Sequence, residues 1–204
     1  TALGRVRAKI EALGIADNTV IIYTSDHGSH FKTRNGEYKR ACHEGCVRIP
    51  MIAAGPGFTA GGKIKDLTSL IDIPPSLMHA GGITPPETMR GRSLQQLLDG
   101  RPDDWRKEVF IQISEDHTGR AIRTDRWKYE AWIPKSLGGT GSDTPGDELY
   151  EYHLYDLQND PHENNDLVAD PAYVEVRAEL SERLVSRMEQ AGETAPKIRP
   201  AISV

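Results

Sequence analysis

The sequence is poor in cysteine, in aromatic residues and in long apolar runs. Two cysteines occur among 204 residues, and aromatic residues make up 6% of the chain. Cys42 and Cys46 lie too close in sequence for a routine disulfide, and no cluster of further ligands accompanies them, which argues against a zinc site. We therefore expect reduced thiols. No apolar run approaches the length that crosses a bilayer, so the sequence predicts no membrane span.

An excess of positive charge is also missing. The chain carries 25 Lys and Arg residues against 30 Asp and Glu residues, which gives a formal net charge of -5. Because the two signs are mixed and no basic stripe forms, nucleic acid is excluded as a partner. A hydrophobic content of 37% is ordinary for a globular protein, and 204 residues suffice for one substantial core and a smaller appendage.

The most informative stretch is an apolar run that ends in polar residues. Residues 20–24 are β-branched or aromatic, and Asp26, His27 and Gly28 follow one residue later. We interpret the run as a buried parallel strand, because such strands deliver polar groups to the carboxyl edge of an α/β sheet. A carboxylate and an imidazole are metal donors, and glycine lets the backbone turn close to a bound ion. The stretch therefore predicts a metal site.

A longer pattern makes this prediction more specific. Residues 20–28 are followed by Lys39, which lies five residues before Glu44, and residues 44–50 are Glu-Gly-Cys-Val-Arg-Ile-Pro. The combination of an apolar run, Thr-Ser-Asp-His-Gly, a lysine, Glu-Gly and an Arg and Pro before a second apolar run resembles the sulfatase family, within the alkaline phosphatase superfamily. The resemblance continues to about Val168.

The resemblance implies a role for each of these polar residues. Asp26 and His27 match the family's metal ligands, and Lys39 matches its sulfate-binding lysine, which would make Lys39 catalytic. Glu44 and Arg48 match residues that we expect to form a buried ion pair supporting the loop. Calcium is the usual metal of the family, although the imidazole of His27 leaves manganese or zinc open.

The nucleophile of the family is missing from the sequence. Sulfatases carry a Cys-x-Pro-x-Arg or Ser-x-Pro-x-Arg motif whose first residue is converted to formylglycine, and neither Cys42 nor Cys46 begins such a motif. Leu3, Val6 and Ile10 fall on one helix face at the start of the chain, as in the second half of a β-α-β unit. We expect a carboxyl-terminal portion whose formylglycine lies upstream, and we expect the fragment alone to be inactive.

Four further residues are candidates for substrate binding. His30 and His43 lie in the polar loop 25–47, and His117 and Arg120 lie on or beside a predicted strand in residues 119–129, a stretch that resembles the family's carboxyl-terminal sheet. The alternatives are an exposed loop for the first pair and a solvated sheet face for the second. For His43 a role as general acid toward the leaving alcohol is a further alternative.

The sequence predicts an α/β fold in two parts. The resemblance assigns residues 1–100 to the carboxyl-terminal half of the sulfatase catalytic domain, a partial alkaline-phosphatase-like sandwich, and residues 101–204 to a small antiparallel-sheet subdomain with a terminal helix. In the first part the apolar periodicity predicts two helices and two strands. They are a helix over 2–14, strands over 18–24 and 49–54, and a helix over 72–80 with Pro74 and Pro75 in its first turn.

The second part is predicted to be a sheet covered by one helix. Three runs of period two, over 108–114, 120–132 and 148–157, predict an antiparallel sheet. Residues 138–143 predict a loop. An amphipathic helix is predicted over 171–190, with four apolar residues facing inward: Val174, Leu180, Leu184 and Met188.

The expected activity follows from the resemblance. It implies a sulfuric ester hydrolase that cleaves a sulfate ester, with a sulfated sugar as the candidate substrate. Phosphodiesterases and phosphonate monoester hydrolases of the superfamily also carry Asp-His at this point and stay an alternative. A non-catalytic module that binds an anionic glycan is the other alternative. Family habit favours a periplasmic or secreted location, whereas the unpaired cysteines favour the cytoplasm.

Overall fold

The computed structural model describes residues 1–59, 61–98, 100–139, 141 and 146–202. The predicted loop over 138–143 lies partly outside these residues. The helices and strands follow one another in a mixed order that confirms the α/β class. They are α1 (Ala2–Ala12), β1 (Ile21–Thr24), α2 (Glu44–Val47), β2 (Met51–Ala54), α3 (Ile73–Ala80), β3 (Glu108–Ile113), β4 (Thr118–Thr124), β5 (Trp127–Ile133), β6 (Glu148–Asp156), α4 (Val174–Gln190) and β7 (Lys197–Arg199).

The chain forms two compact units. The first contains Thr1–Asp26 and Ile49–Trp105, and the second contains His27–Arg48 and Arg106–Val204. The loop that carries most of the predicted site residues therefore belongs to the second unit, although it precedes most of the first unit in sequence. The predicted division of the chain at residue 100 stays a prediction. In the described part of the chain, none of the helices is both long and apolar enough to cross a membrane.

In the first unit, β1 and β2 form a two-stranded antiparallel sheet. The register pairs Ile21 with Ala54 and Thr24 with Met51, and the Thr24 hydroxyl donates to the Pro50 carbonyl at 3.0 Å. The prediction of a buried parallel strand was wrong on both counts. The connection between the strands is mostly irregular and brings the chain back in the opposite direction, and Tyr23 of β1 is 54% exposed.

The helices of the first unit lie where their sequences predict them, although α1 ends at Ala12 and α3 begins at Ile73. The Thr1 hydroxyl accepts from the Gly4 amide at 3.2 Å, which caps α1, and Gly14 ends the helix region with a φ of 67°. Pro74 and Pro75 lie in the first turn of α3, where the missing amide hydrogens are not needed. The buried Asp72 carboxylate precedes them and accepts from backbone amides.

In the second unit, five strands form a mixed sheet. The order is β3-β4-β5-β6-β7, with antiparallel neighbours except that β7 runs parallel to β6. The prediction of three antiparallel strands was wrong, because the run over 120–132 divides at Asp125 and Arg126 into β4 and β5. The Thr124 hydroxyl accepts from the amides of Arg126 at 3.3 Å and Trp127 at 2.8 Å, which fixes the tight turn.

Helix α4 covers one face of this sheet and completes its core. Leu180, Leu184 and Met188 are buried against β4, β5 and β6, as predicted. The prediction for Val174 was wrong, since this side chain is 56% exposed. The buried residues are spaced by four, and Val176 continues that series toward the amino end of the helix, whereas Val174 lies on another face.

We expect the core contact of α4 to dominate the stability of the second unit. Leu184→Ala should lower the free energy of unfolding by about 2–5 kcal/mol, because the side chain is fully buried and its removal leaves a cavity. Val174→Ala on the exposed face of the same helix should change it by less than about 0.5 kcal/mol. Urea denaturation measures both. Equal losses in the two variants would contradict this packing.

Candidate functional site

The loop 27–48 carries most of the predicted site residues, and a backbone hydrogen bond joins its two ends. The Gly28 amide donates to the Cys46 carbonyl at 2.7 Å. A Cβ atom on Gly28 would lie 2.1 Å from the Gly45 carbonyl oxygen, so this close approach requires glycine. The backbone next to His27 is thereby tied to α2.

The structure brings two of the predicted site residues, His27 and Lys39, together. His27 Nδ1 lies 2.7 Å from the Gly28 carbonyl oxygen, which accepts only, so Nδ1 carries the proton. Nε2 is then the acceptor nitrogen, and Lys39 Nζ donates to it at 3.2 Å. The Tyr38 ring lies beside both groups, with its centroid 5.7 Å from Lys39 Nζ. The local backbone therefore selects the tautomer whose Nε2 can bind a metal ion.

The donor set suits a divalent cation but is incomplete. Asp26 precedes His27 in sequence, is exposed, and offers carboxylate oxygens, while His27 offers Nε2. Calcium takes oxygen ligands, and manganese or zinc also accepts imidazole. Within the described residues, no three His, Cys, Asp or Glu side chains form a group that could hold a metal ion. Asp26 and His27 as shared metal ligands stay a prediction.

His30 and His43 are both buried in the second unit. His30 Nε2 donates to the Lys39 carbonyl at 3.1 Å, and His43 Nε2 lies 3.2 Å from the Tyr155 hydroxyl. Burial and the neighbouring His153 lower the pKa of His43 to about 3. His43 is therefore uncharged at neutral pH, which does not suit a general acid. A substrate-binding role for His30 and His43 stays a prediction.

Glu44 supports the loop, although not with the partner that we predicted. Its carboxylate accepts from Lys128 Nζ at 2.8 Å and from Arg123 Nη2 at 3.4 Å, while Arg48 is exposed. The predicted Glu44–Arg48 ion pair was therefore wrong, because cations of β4 and β5 face Glu44. Burial opposes ionisation of Glu44, but Lys128 and Arg123 outweigh it and hold its pKa below the usual range.

A second buried network centres on His117. His117 Nε2 donates to Glu130 Oε1 at 2.7 Å, and Nδ1 donates to Asp116 Oδ2 at 2.9 Å. The Cys42 thiol donates to Glu130 Oε2 at 2.9 Å, which joins the loop to β5. Burial disfavours a charged His117, but Glu130 and Asp116 outweigh it and raise the pKa of His117. Burial likewise opposes ionisation of Glu130, and His117 holds the pKa of this carboxyl below its usual range.

Arg120 is engaged inside the same unit. It is 1% exposed, its Nε donates to Glu193 at 2.9 Å, and its Nη1 donates to the Gly119 carbonyl at 2.8 Å. Both candidates on the sheet, His117 and Arg120, thus take part in internal ion pairs. A substrate-binding role for them stays a prediction.

The cysteines are free and buried, as expected. Burial, followed by the charge of Glu130, raises the pKa of the Cys42 thiol. Neither sulfur is activated as a nucleophile, which agrees with the absence of the formylglycine motif around Cys42 and Cys46.

Sequence reasoning missed three buried charged residues that hold the loop: Lys128, Glu130 and Glu163. Lys128 and Glu130 alternate with Tyr129 and Ala131 in β5, and all four are buried. The available signal was two charged residues, Lys128 and Glu130, at alternate positions of an otherwise apolar strand. This pattern does not show which face of the sheet is covered. Glu163 lies in the Asp-Pro-His-Glu passage between β6 and α4, where no periodic pattern marks a buried side chain.

A family model described as N-sulphoglucosamine sulphohydrolase, C-terminal, matches residues 36–190. The N-acetylglucosamine-6-O-sulfatase of Bacteroides thetaiotaomicron is 27% identical over an alignment of 204 positions. The alignment covers 95% of this chain and 34% of that protein. The chain spans about a third of the length of the curated relatives it matches.

Solved structures share the fold as well as the sequence pattern. A protein in complex with its substrate D-glucosamine-2-N,6-O-disulfate aligns with a TM-score of 0.74 at 27% identity, over 95% of this chain and 38% of that chain. The phosphonate monoester hydrolase of Agrobacterium radiobacter aligns with a TM-score of 0.73 at 26% identity, over 92% and 38%. The fold is thus shared by a protein whose substrate is a disulfated glucosamine and by a phosphonate monoester hydrolase.

The His117 network should make stability depend on pH. A histidine with a raised folded pKa contributes stability that is complete below its unfolded pKa of about 6.5 and is lost as the pH rises through the folded pKa. At pH 6, His117→Gln should cost about 3–5 kcal/mol, because Glu130 loses its buried cation. The difference from the parent should shrink as the pH rises above about 6.5 and through the raised folded pKa of His117.

Urea denaturation across this pH range measures the effect. His162→Gln, at an exposed histidine of the same unit, is the matched control and should leave the pH profile unchanged. A constant difference between the parent and His117→Gln from pH 6 to pH 9 would contradict a charged His117 in the folded protein.

Proposed function

Because the chain belongs to the N-sulphoglucosamine sulphohydrolase C-terminal family, we propose that it forms the carboxyl-terminal part of a sulfuric ester hydrolase. The observation that carries the proposal is the placement of Lys39 Nζ 3.2 Å from His27 Nε2. A cationic donor and a metal-binding nitrogen at one point are what a bound sulfate group requires. The enzyme's nucleophile, a formylglycine, comes from the preceding part of the protein.

Asp26 and His27 hold a divalent cation together with ligands from that preceding part. Calcium is the proposed ion, and manganese or zinc is the alternative because one donor is an imidazole. The bound cation supplies positive charge that polarises the ester and favours the ionised nucleophile. His27 Nδ1 donates to the Gly28 carbonyl at 2.7 Å, and this hydrogen bond keeps Nε2 in its acceptor form. This contact orients the ring before any ion binds.

Lys39 binds the sulfate group through a charge-assisted hydrogen bond. Its ammonium carries three donors, and the one that faces His27 Nε2 is released to the sulfate oxygens when a cation takes the single lone pair of that nitrogen. Negative charge shifts among the oxygens of the ester as the bond to the leaving group breaks. A fixed cationic donor next to these oxygens stabilises the transition state more than the ground state.

The substrate class is proposed from the comparisons. One relative is an N-acetylglucosamine-6-O-sulfatase, and one solved structure is a complex with D-glucosamine-2-N,6-O-disulfate as the substrate. We propose a sulfated sugar as the substrate of the whole protein.

A phosphonate or phosphate ester is the second candidate substrate. It is favoured by the likeness to the phosphonate monoester hydrolase of Agrobacterium radiobacter. The Asp26-His27 pair also occurs in such hydrolases by family resemblance. Both substrate classes present tetrahedral anionic centres to the same cation and lysine, so the site geometry suits either, and turnover decides between them.

Hydrolysis of 4-nitrophenyl sulfate and 4-nitrophenyl phosphate by the complete protein that carries this chain tests the proposal. Sulfate turnover should exceed phosphate turnover, and Lys39→Ala should lower kcat/KM for the sulfate by about 100-fold or more. Asp26→Ala should lower it at least as far and weaken the calcium dependence. Lys32→Ala, at an exposed lysine of the same loop, is the control and should retain the parent rate.

The three possible outcomes have different meanings. Faster phosphate turnover would replace the substrate class and keep the site. A Lys39→Ala variant as active as Lys32→Ala would contradict the site assignment. If the complete parent protein binds sulfated sugars measurably but does not hydrolyse them, the result would favour a non-catalytic glycan-binding module.

A further inference from the structure

The connector between β6 and α4 contacts the loop 27–48 through a turn at His162 and Glu163. Arg34 Nη2 donates to the His162 carbonyl at 2.7 Å, and the Glu44 amide donates to Glu163 Oε2 at 2.8 Å. Glu163 is 2% exposed although the residues on both sides of it are exposed. One buried carboxylate of the connector thus holds the first amide of α2.

The backbone at Glu163 adopts a conformation that its side chain does not favour. Its φ is 56°, in the left-handed region where glycine is preferred and where a Cβ atom crowds the following carbonyl. Such a conformation persists when the surrounding contacts fix it. At Glu163 those contacts are the two hydrogen bonds of the carboxylate, one to the Glu44 amide and one to Lys128.

Lys128 joins this carboxylate to the sheet. Its ammonium is fully buried and donates to Glu163 Oε1 at 2.8 Å and to Glu44 Oε1 at 2.8 Å. Arg123 supplies a second cation 3.4 Å from Glu44 Oε2. Two carboxylates and two cations therefore balance one another inside the unit. Removing any one of them leaves a buried charge without compensation, whereas removing an opposite pair does not.

The position of α2 affects the proposed site through two successive hydrogen bonds. Glu44 begins α2, and the carbonyl of Cys46 within α2 accepts from the Gly28 amide at 2.7 Å. Gly28 in turn fixes His27 by accepting from Nδ1 at 2.7 Å. A shift of α2 therefore displaces the acceptor that orients His27, and Lys39 lies on the same loop.

From these contacts we infer that Lys128 and Glu163 are positioning residues, which fix the loop 27–48 on the sheet and thereby align Lys39 with His27. Neither touches Lys39 or His27 in the described contacts of the unit. The alignment of the two site residues rests on the proposed function, whereas the fixing of the loop does not.

Hydrogen exchange of the 204-residue chain tests the fixing of the loop without any activity. Glu163→Gln keeps the shape of the side chain and removes its charge. The Gly28 amide should then exchange roughly tenfold faster or more, while amides of β4 and β5 keep their protection. Unchanged exchange at Gly28 in a folded Glu163→Gln variant would overturn the inference.

The matched control removes a carboxylate of the same kind elsewhere in the unit. Glu108 is paired with Arg183 and Arg187, both on α4, with Nε of Arg187 2.7 Å from Glu108 Oε1. Glu108→Gln should lower the melting temperature and leave exchange at Gly28 as in the parent. Faster exchange at Gly28 in both variants would show general loosening and would overturn a specific role for Glu163.

Kinetics of the complete protein test the alignment of the site. Glu163→Gln should lower kcat for the sulfate ester roughly tenfold, with KM changed less than kcat, because the lysine contact is needed most in the transition state. Glu108→Gln should leave kcat within about twofold of the parent. Equal losses of kcat in the two variants would overturn the alignment role.

A double variant supplies the rescue. Lys128→Met leaves Glu44 and Glu163 with one cation, whereas Lys128→Met with Glu163→Gln restores the charge balance. The fold-loss of activity in the double variant should be smaller than the product of the two single fold-losses. A fold-loss equal to that product would overturn the coupling between Lys128 and Glu163. A parent without sulfate turnover would reject the proposed function, and hydrogen exchange would still decide whether Glu163 fixes the loop.

Discussion

The loop 27–48 depends on buried charges that lie on the sheet of the second unit. Lys128 and Glu130 point from β5 toward loop residues Glu44 and Cys42, at 2.8 and 2.9 Å. A buried ion pair adds little net stability by itself, because desolvation offsets the attraction, but loss of one partner costs about 3–5 kcal/mol. Such pairs therefore select one arrangement of the loop more than they stabilise the unit. The proposed alignment of Lys39 with His27 depends on that selection.

The same logic explains why the loop can be mostly irregular. Its helix α2 has a single turn, and apart from its buried thiols the loop adds little to the hydrophobic core. The apolar core formed by α4 and the sheet stabilises the unit, while the polar contacts place the loop on it. Division of labour between an apolar scaffold and a polar functional loop is common in enzymes. Variants in the apolar core should therefore unfold the second unit, whereas variants in the polar contacts should displace Lys39 without unfolding it.

Local patterns in the sequence predicted the elements whose causes are local. The capped helix α1, the proline-started α3 and the three inward residues of α4 follow from spacing and end signals. The division of the run over 120–132 was missed because Thr124 fixes the turn there through its hydroxyl, in a stretch without glycine or proline. The partner of Glu44 was also missed. Lys128 lies 84 residues further along the chain, and no local pattern connects them.

The sequence by itself determined the family, the metal-binding pair Asp26-His27 as a hypothesis and the identity of Lys39 as a candidate anion donor. These features depend on residue type and short spacing, which a linear pattern records. Tertiary structure decided that β1 pairs antiparallel with β2, that His117 and Arg120 are buried in ion pairs, and that Glu44 faces Lys128 in place of Arg48. Those outcomes depend on which distant groups share a desolvated space, and burial is a property of the folded chain alone.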